Sequence, residues 1–397
     1  MHEFWAGRRV LLTGHTGFKG SWLALWLSEL GARVTGVGLE PDTTPNLFGQ
    51  LELVGRLERH HIADIREPQA LAEIVQACQP QVVFHLAAQP LVRRSYIDPL
   101  GTWATNVQGS LHLLEALKQL QHPCAVVMVT TDKVYQNQEW DYGYRESDRL
   151  GGHDPYSASK AAAELAIASW RASFCGNALH QSPHLAIATA RAGNVIGGGD
   201  WAGDRIIPDA VSALMAGETV SVRNPNSTRP WQHVLEPLGG YMRLAEVLSA
   251  AQASNSRPNR YCEAYNFGPL LEANRPVRQL IDAALQHWPG AWTILSDAGA
   301  VHEAGRLHLQ IDKAGHQLGW QPRWPFATTI KRTVAWYKKV YEGASPMDCC
   351  INDLQLYSAM TIDASVLLME PHQDHEFLPN INLGFPIDDY FTSGALQ

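Results

Sequence analysis

The chain has 397 residues, 45% hydrophobic and 18% charged, a globular balance that excludes intrinsic disorder and leaves room for a parallel-sheet domain with a smaller lobe. Its formal net charge of −8 argues against broad nucleic-acid binding, so an anionic ligand needs a local basic pocket. No stretch approaches the roughly 20 apolar residues of a membrane helix, and Arg8-Arg9-Val10-Leu11-Leu12-Thr13-Gly14 reads as a first strand and its turn rather than a secretory signal.

In chain order, residues 10–12 form a short apolar strand, a glycine-rich turn follows, and residues 21–30 carry helical spacing with Gly31 as the stop. Residues 33–39 read as a second strand and 82–88 as another, buried one. Residues 106–120 read as an amphipathic helix, and 126–129 as a buried strand ending in the polar run Thr130-Thr131-Asp132-Lys133. Strands alternating with helices predict an α/β fold, a right-handed, doubly wound parallel Rossmann sheet, with ligands at the carboxyl ends of its strands. Gly14 and Asp132 both fall at such ends.

After about residue 190 the pattern loosens. Gly197-Gly198-Gly199-Asp200-Trp201, Asn224-Pro225-Asn226 and Arg229-Pro230-Trp231 are loop chemistry, with helices near 236–249, 276–287 and 326–341. The predicted organisation is a dinucleotide-binding domain over 1–190, a smaller α/β substrate lobe over 191–357 and an acidic tail over 358–397. Irregularity already begins beyond about Ser345. The six cysteines are scattered without a Cys-x-x-Cys spacing, which fits idle thiols in a reducing cytoplasm; adjacent Cys349 and Cys350 admit a redox-active alternative.

The turn Gly14-His15-Thr16-Gly17-Phe18-Lys19-Gly20 lets the backbone bend sharply and approach a pyrophosphate at a helix N-terminus. Its place between a strand and a helix makes it a dinucleotide signal. An acid for the adenosine ribose belongs at the end of the second strand, but Gly38 stands there. Glu40 is either the substitute or a solvated loop residue. No arginine follows Gly38 to receive a 2′-phosphate, so NAD is expected over NADP. Asp64 suits an adenine contact, with a helix cap as the alternative.

Tyr156 and Lys160 stand four apart, hence on one helical face. A tyrosine near its ordinary pKa of about 10 is a poor base at neutral pH. A cation about 4 Å away, at an effective dielectric near 20, is worth roughly 4 kcal/mol, about three pKa units. Lys160 is therefore expected to make Tyr156 a usable base for a sugar hydroxyl.

These two motifs resemble the extended short-chain dehydrogenase/reductase family. Five segments narrow the likeness to its nucleotide-sugar 4,6-dehydratases of the CDP type: residues 15–22, 85–92, 131–135, 197–205 and 229–237. The resemblance runs in consistent order over about residues 5 to 357. It implies a lyase with NAD as a bound cofactor and CDP-glucose as substrate, giving CDP-4-keto-6-deoxyglucose and water. C4 is oxidised, water leaves across C5 and C6, and hydride returns to C6. It implies cofactor contacts at Gly14, Thr16, Gly17, Phe18, Gly20, Asp64, Ile65, Leu86, Ala87, Ala88, Tyr156 and Lys160. Thr131, Asp132 and Lys133 join Tyr156 and Lys160 as catalytic groups. Elimination needs an acid for the C6 hydroxyl and a base for C5, tasks beyond a simple reductase. Related dTDP-glucose enzymes carry Asp-Glu where this chain has Asp132-Lys133, so the division of labour within the pair stays open. An exposed lysine beside a capping aspartate is the bland alternative.

For the nucleotide sugar, Arg191, Arg205 and Arg229 offer paired guanidinium donors to a pyrophosphate. Asn194 matches a family phosphate contact, and His233 is either a ligand contact or a core histidine. His302 and Glu303 resemble a further family motif. His372 and His375 lack a third metal ligand, so no metal is expected. The family implies a homodimer or homotetramer built through helices beside Asn106 and over 161–170. The competing functions are a dehydratase or 4-epimerase for another nucleotide sugar, and a catalytically silent NAD-sensing regulator.

Overall fold

The computed structural model describes residues 2–175, 182, 184–254, 259–295 and 305–360, all within a compact unit spanning Met1–Met360. Its centre is a seven-stranded sheet. The strands are β1 (Arg9–Thr13), β2 (Arg33–Gly38), β3 (Arg59–Ile62), β4 (Val82–His85), β5 (Cys124–Val129), β6 (Leu185–Ala192) and a last strand, Ala264–Phe267. Their spatial order is β3-β2-β1-β4-β5-β6-last, every pair parallel. The order reverses between β1 and β4, and the carboxyl ends of those two strands are where doubly wound sheets bind ligands.

Both faces of the sheet are covered, which explains its near-continuous apolar strands. Val10 and Leu12 of β1 face a core shared with the helices Phe18–Glu29 and Leu235–Ala253. Leu11, between them, faces the opposite core with the helices Pro68–Cys78 and Gly109–Leu117. That alternation is the strand's two-residue period at work.

The last strand pairs with β6, Phe267 opposite Ala192, so the sheet takes strands from both sides of residue 190. The second half adds three short ribbons: Val195–Ile196 with Gln232–His233, Thr228–Pro230 with Asn274–Pro276, and Val220–Val222 with Trp292–Ile294.

Several expectations shift. The first helix begins at Phe18 rather than 21, and Gly31 ends that region with φ +78°. Strand β4 stops at His85, and the last ladder bond runs from the Leu86 amide to the carbonyl of Thr13. A π turn, Ala104–Gln108, precedes the helix Gly109–Leu117. The irregular arm expected beyond Ser345 is instead a helix, Pro346–Ala359, capped by the Ser345 hydroxyl and seated on Cys350, Asp353, Leu354 and Tyr357. Tyr357 donates to the buried carboxyl of Glu236 at 2.8 Å. The tail from 361 onward, with His372 and His375, lies outside the described residues. All six cysteines are free thiols, and Cys350 accepts from the Trp336 indole rather than pairing with Cys349. Among the described residues no helix is long and apolar enough to cross a membrane.

Candidate active site

Strand β1 delivers the chain into the glycine turn. Gly14 has φ +74°, and a β-carbon there would lie 2.7 Å from the Ala87 amide nitrogen. Only glycine fits so close to the loop after β4. Gly20 packs against the Gly14 carbonyl, where a β-carbon would collide with backbone. Gly17 caps the helix Phe18–Glu29 with no side-chain hydrogen bond, so none of the turn's side chains occupies the first-turn amides. Such an N-terminus suits a pyrophosphate.

Thr16 donates to the Leu39 carbonyl at 2.8 Å and pins the turn to the end of β2. A β-carbon on Gly38 would stand 3.1 Å from the Thr16 hydroxyl and 3.3 Å from Nδ1 of His15. His15 therefore fills the space where a ribose-binding acid would sit, hydrogen-bonded through Nε2 to Nδ1 of His60 at 2.7 Å. Glu40 is exposed. Asp64 does not cap the helix Pro68–Cys78, whose N-cap is Glu67. It accepts from the Arg66 amide at 2.9 Å and pairs with the Arg66 guanidinium, whose hydrogen bonds hold the carboxyl below its ordinary range. Ile65 buries its side chain against Gly109 and offers its carbonyl to His112.

The loop after β4 is braced from below. Ala87 donates to the Thr13 hydroxyl at 3.2 Å, which also bonds Nδ1 of His85 at 2.7 Å, and Nε2 of His85 meets Ser110 at 3.0 Å. Burial keeps His85 neutral, its pKa pushed down to about 3. Asn106, in the π turn, accepts from the Gln89 amide and donates to the Ser159 hydroxyl, both at 2.9 Å. Leu86 and Ala88 sit half-buried on either side of Ala87.

Two elements carry the reactive groups. The helix Pro155–Phe174, capped by Asp154 accepting from the Ser157 amide at 2.9 Å, presents Tyr156 and Lys160 on one buried face. Beyond β5, Thr131 caps a short turn, Asp132–Val134, and donates to Oδ1 of Asp132 at 3.0 Å. Asp132 is 2% exposed, and among the described residues its Oδ2 has no hydrogen-bond partner. Burial raises its pKa, against the opposing pull of Lys133, the Thr131 hydrogen bond, Arg229 and Lys19. A carboxyl whose protonated form burial favours, beside cations that stabilise the anion left behind, is suited to give up a proton. Lys133 is half-buried beside it.

The expected activation of Tyr156 by Lys160 takes a different form. Burial pushes the phenol up to about 12, and the groups drawing it back are the Thr131 hydroxyl and Arg205. Lys160, lowered to about 8 by burial, donates to the Val129 carbonyl at 3.3 Å. Its ammonium is thus turned toward the strand end.

The substrate-side candidates divide. Arg205 pairs with Asp200 at 2.8 Å and faces Tyr156, while the Arg229 guanidinium donates to the Thr228 carbonyl at 2.9 Å and faces Asp132. Asn194 is half-buried, its carbonyl accepting from Gln232. Arg191 and His233 are corrections. Arg191 is committed to a buried ion pair with Glu164 at 2.8 Å and to the Tyr135 hydroxyl. His233 is fully buried between Trp22 and Trp324, with ring centroids 6.0 and 4.6 Å away, and its Nδ1 accepts from the Leu235 amide. His302 and Glu303 lie outside the described residues. Among the described residues no cluster of His, Cys, Asp or Glu could hold a metal.

Lys19 was hidden within the glycine motif, where glycine spacing already accounts for the pattern. It stands in the first turn of its helix, lowered to about 8 by burial and by Arg205, with Asp132, Lys160 and Asp200 also facing it. That helix packs on the 197–205 segment: the Trp22 indole donates to the Gly198 carbonyl at 2.9 Å. The cleft therefore gathers Lys19, Lys133, Lys160, Arg205 and Arg229 around Asp132 and Tyr156, a basic pocket in an acidic protein.

The family model of the GDP-mannose 4,6 dehydratases matches residues 11–333. A CDP-glucose 4,6-dehydratase from Salmonella typhimurium is 45% identical over 361 residues, covering 90% of this chain and 98% of the relative. A dTDP-glucose 4,6-dehydratase from Xanthomonas campestris is 28% identical over 356 residues, covering 82% and 92%. Among solved structures, a dTDP-glucose 4,6-dehydratase from Bacillus anthracis in complex with NAD superposes with TM-score 0.67 at 20% identity, covering 86% of this chain and 100% of that one. A UDP-glucose 4-epimerase from Stenotrophomonas maltophila with bound NAD gives 0.70 at 21%, covering 85% and 100%. At those identities the structures speak for the fold alone.

Proposed function

The chain belongs to the family of the GDP-mannose 4,6 dehydratases, and we propose that within it the protein is an NAD-dependent lyase converting CDP-glucose to CDP-4-keto-6-deoxyglucose and water. The observation that carries the reading is the buried Asp132 carboxyl, raised in pKa and with Oδ2 unpartnered among the described residues, in one cleft with Tyr156. Oxidising and reducing C4 makes no use of such an acid, and neither does a silent NAD sensor. Losing the C6 hydroxyl does.

The glycine turn, Asp64, the Ile65 backbone and the loop Leu86–Ala88 would hold the dinucleotide, with Tyr156 and Lys160 beside its nicotinamide. When bound, NAD supplies the acceptor and later the donor of one hydride, so the overall reaction is redox-neutral. Oη of Tyr156 takes the proton of the C4 hydroxyl, with the Arg205 charge easing its ionisation. The 4-ketone acidifies the C5 proton, which we assign to the Lys133 amine, and Lys133 returns a proton to C5 as C6 becomes a methyl group. Asp132 gives its proton to the departing C6 hydroxyl, and the carboxylate left behind faces Lys133, Arg229 and Lys19. Arg205 and Arg229, with Asn194, are assigned to the diphosphate.

We assign the protein to the cytoplasm, since six free thiols suit a reducing compartment. The partner is assigned as a second copy of the chain, in a homodimer or a homotetramer. Ile97 and Leu100 are 84% and 83% exposed on short helices packed against Pro155–Phe174, which also exposes Leu165. Such an apolar patch suits self-association.

Incubation with CDP-, dTDP-, UDP- and GDP-glucose, following the 4-keto product, tests the reading. CDP-glucose should give far the highest kcat/KM; equal or better turnover of dTDP-glucose would refute it.

A further inference from the structure

Helix Pro155–Phe174 continues its reactive stripe by one more turn. Tyr156, Lys160 and Glu164 are spaced four apart and all three are buried. Both carboxylate oxygens of Glu164 are engaged. Oε1 accepts from the Thr130 hydroxyl at 2.5 Å; Oε2 accepts from the Thr189 hydroxyl and the Arg191 guanidinium, each at 2.8 Å. Thr130 is the residue between Val129, whose carbonyl receives Lys160, and Thr131, which holds Asp132. One carboxylate on the catalytic helix therefore grips the end of β5, where the acid begins, and the second half of β6.

We propose that Glu164 is a positioning residue of the reaction centre, fixing the Tyr156–Lys160 helix against the Thr130–Asp132 segment and supplying the anion that Lys160 faces. The geometry is that of a clamp between the two elements that must hold a phenol and a carboxyl around one sugar ring. Its charge has a second use. Glu164 stands one turn beyond Lys160 on the same buried helical face, while His85 from β4 and Lys19 from the helix Phe18–Glu29 also act on Lys160, and neither of these is an anion. Arg191 from β6 faces Glu164 in turn. Burial works against the Lys160 ammonium, and Glu164 works for it. Removing the carboxylate would let Lys160 lose its proton at lower pH, and with it the positive charge that stands one helical turn from Tyr156.

The test uses the full chain and the variants Glu164→Gln, Glu164→Asp and Thr130→Val, each well below its own Tm. The first arm titrates Lys160 by carbon NMR in lysine-labelled protein, with the resonance assigned by its loss in Lys160→Met. Glu164→Gln should lower the midpoint by about one pH unit, and Glu164→Asp, which keeps the charge, should leave most of it in place. The second arm measures the single-turnover rate of C4 oxidation with CDP-glucose and NAD. Thr130→Val keeps the ion pair with Arg191 yet frees the strand end, and should slow that step roughly tenfold while KM stays near its original value. Glu164→Gln should slow it further and carry its alkaline limb to lower pH. An unshifted Lys160 midpoint, or an unchanged rate in folded Thr130→Val, would leave Glu164 a purely structural residue and overturn the proposal. The oxidation arm rests on the dehydratase reading and the titration does not. A parent protein inactive on every sugar nucleotide therefore refutes that reading, while the midpoint still decides the role of Glu164. If Glu164→Gln does not fold, Thr130→Val decides it: a parental oxidation rate there overturns the clamp.

Discussion

The Thr131 hydroxyl donates to Oδ1 of Asp132 at 3.0 Å, and among the described residues Oδ2 of that carboxyl has no hydrogen-bond partner. One oxygen is thus held in place while the other stays available, within a site whose burial favours the protonated form. Asp132→Asn keeps the shape and removes the proton. With CDP-glucose it should still form enzyme-bound NADH, seen by absorbance, while the 4-keto-6-deoxy product appears at least roughly a hundredfold more slowly. Product formation at the parental rate would show that the carboxyl takes no part.

Tyr156 and Lys160 set a different limit. Tyr156→Phe should abolish C4 oxidation, leaving no NADH absorbance at all. Because Lys160 is held near a pKa of about 8, its ammonium is lost as pH rises through that value. The oxidation rate should therefore fall on the alkaline side of about 8. A pre-steady-state profile flat from neutral pH to well above that point would contradict the role of Lys160.

Much of this centre is readable from spacing alone. Gly14, Gly17 and Gly20 between a strand and a helix, the Tyr156–Lys160 stripe and the Thr131-Asp132 strand end all depend on neighbours close in sequence. What misleads is decided at long range. Arg191 looks like a phosphate ligand until Glu164, 27 residues earlier, takes its guanidinium. His233 looks like a ligand contact until Trp22 and Trp324 close around it. The helix Pro346–Ala359 carries Cys350, Leu354 and Tyr357 at helical spacing, but polar residues between them mask the stripe. Lys19 is invisible because its charge partners, Arg205 and Asp132, are brought together only by the fold.

Lys19→Met removes a cation that faces Asp132 from the first-turn helix. The carboxylate left after proton transfer loses stabilisation, so elimination should slow by roughly tenfold or more. The measurement is decay of the bound-NADH signal after C4 oxidation. Decay at the parental rate would show that Lys19 serves binding alone.

At Gly38 the expected outcome concerns the cofactor. A side chain there meets Thr16 and His15 at 3.1 and 3.3 Å, so Gly38→Asp should disturb the turn rather than gain a ribose contact. Calorimetry should show NAD binding tighter than NADP in the parent, and Gly38→Asp binding NAD no better. Tighter NADP binding would reverse the assignment.

Glu236 anchors the last helix from the core. It accepts from the Trp324 amide at 2.6 Å and from Tyr357, and burial pushes its pKa up to about 7 from an ordinary value near 4.5. The folded protein therefore holds this proton more tightly than the unfolded chain does. The stabilisation is full below about 4.5 and is lost as pH rises through about 7. Tm should fall over that interval by an amount that Glu236→Gln removes. Equal pH slopes in both proteins would contradict the assignment.

The central claim is that Asp132 and Lys133 divide an elimination between them, acid at C6 and base at C5. Turnover of CDP-glucose in deuterium oxide, with product analysed by NMR, reads both halves at once. The account predicts solvent deuterium at C5 in the parent product, and slower incorporation in Lys133→Met. In Asp132→Asn, C4 oxidation should persist while loss of the C6 hydroxyl slows. If Asp132→Asn and Lys133→Met both dehydrate at the parental rate with parental deuterium incorporation, the pair is a capping aspartate beside a surface lysine, and the mechanism is wrong.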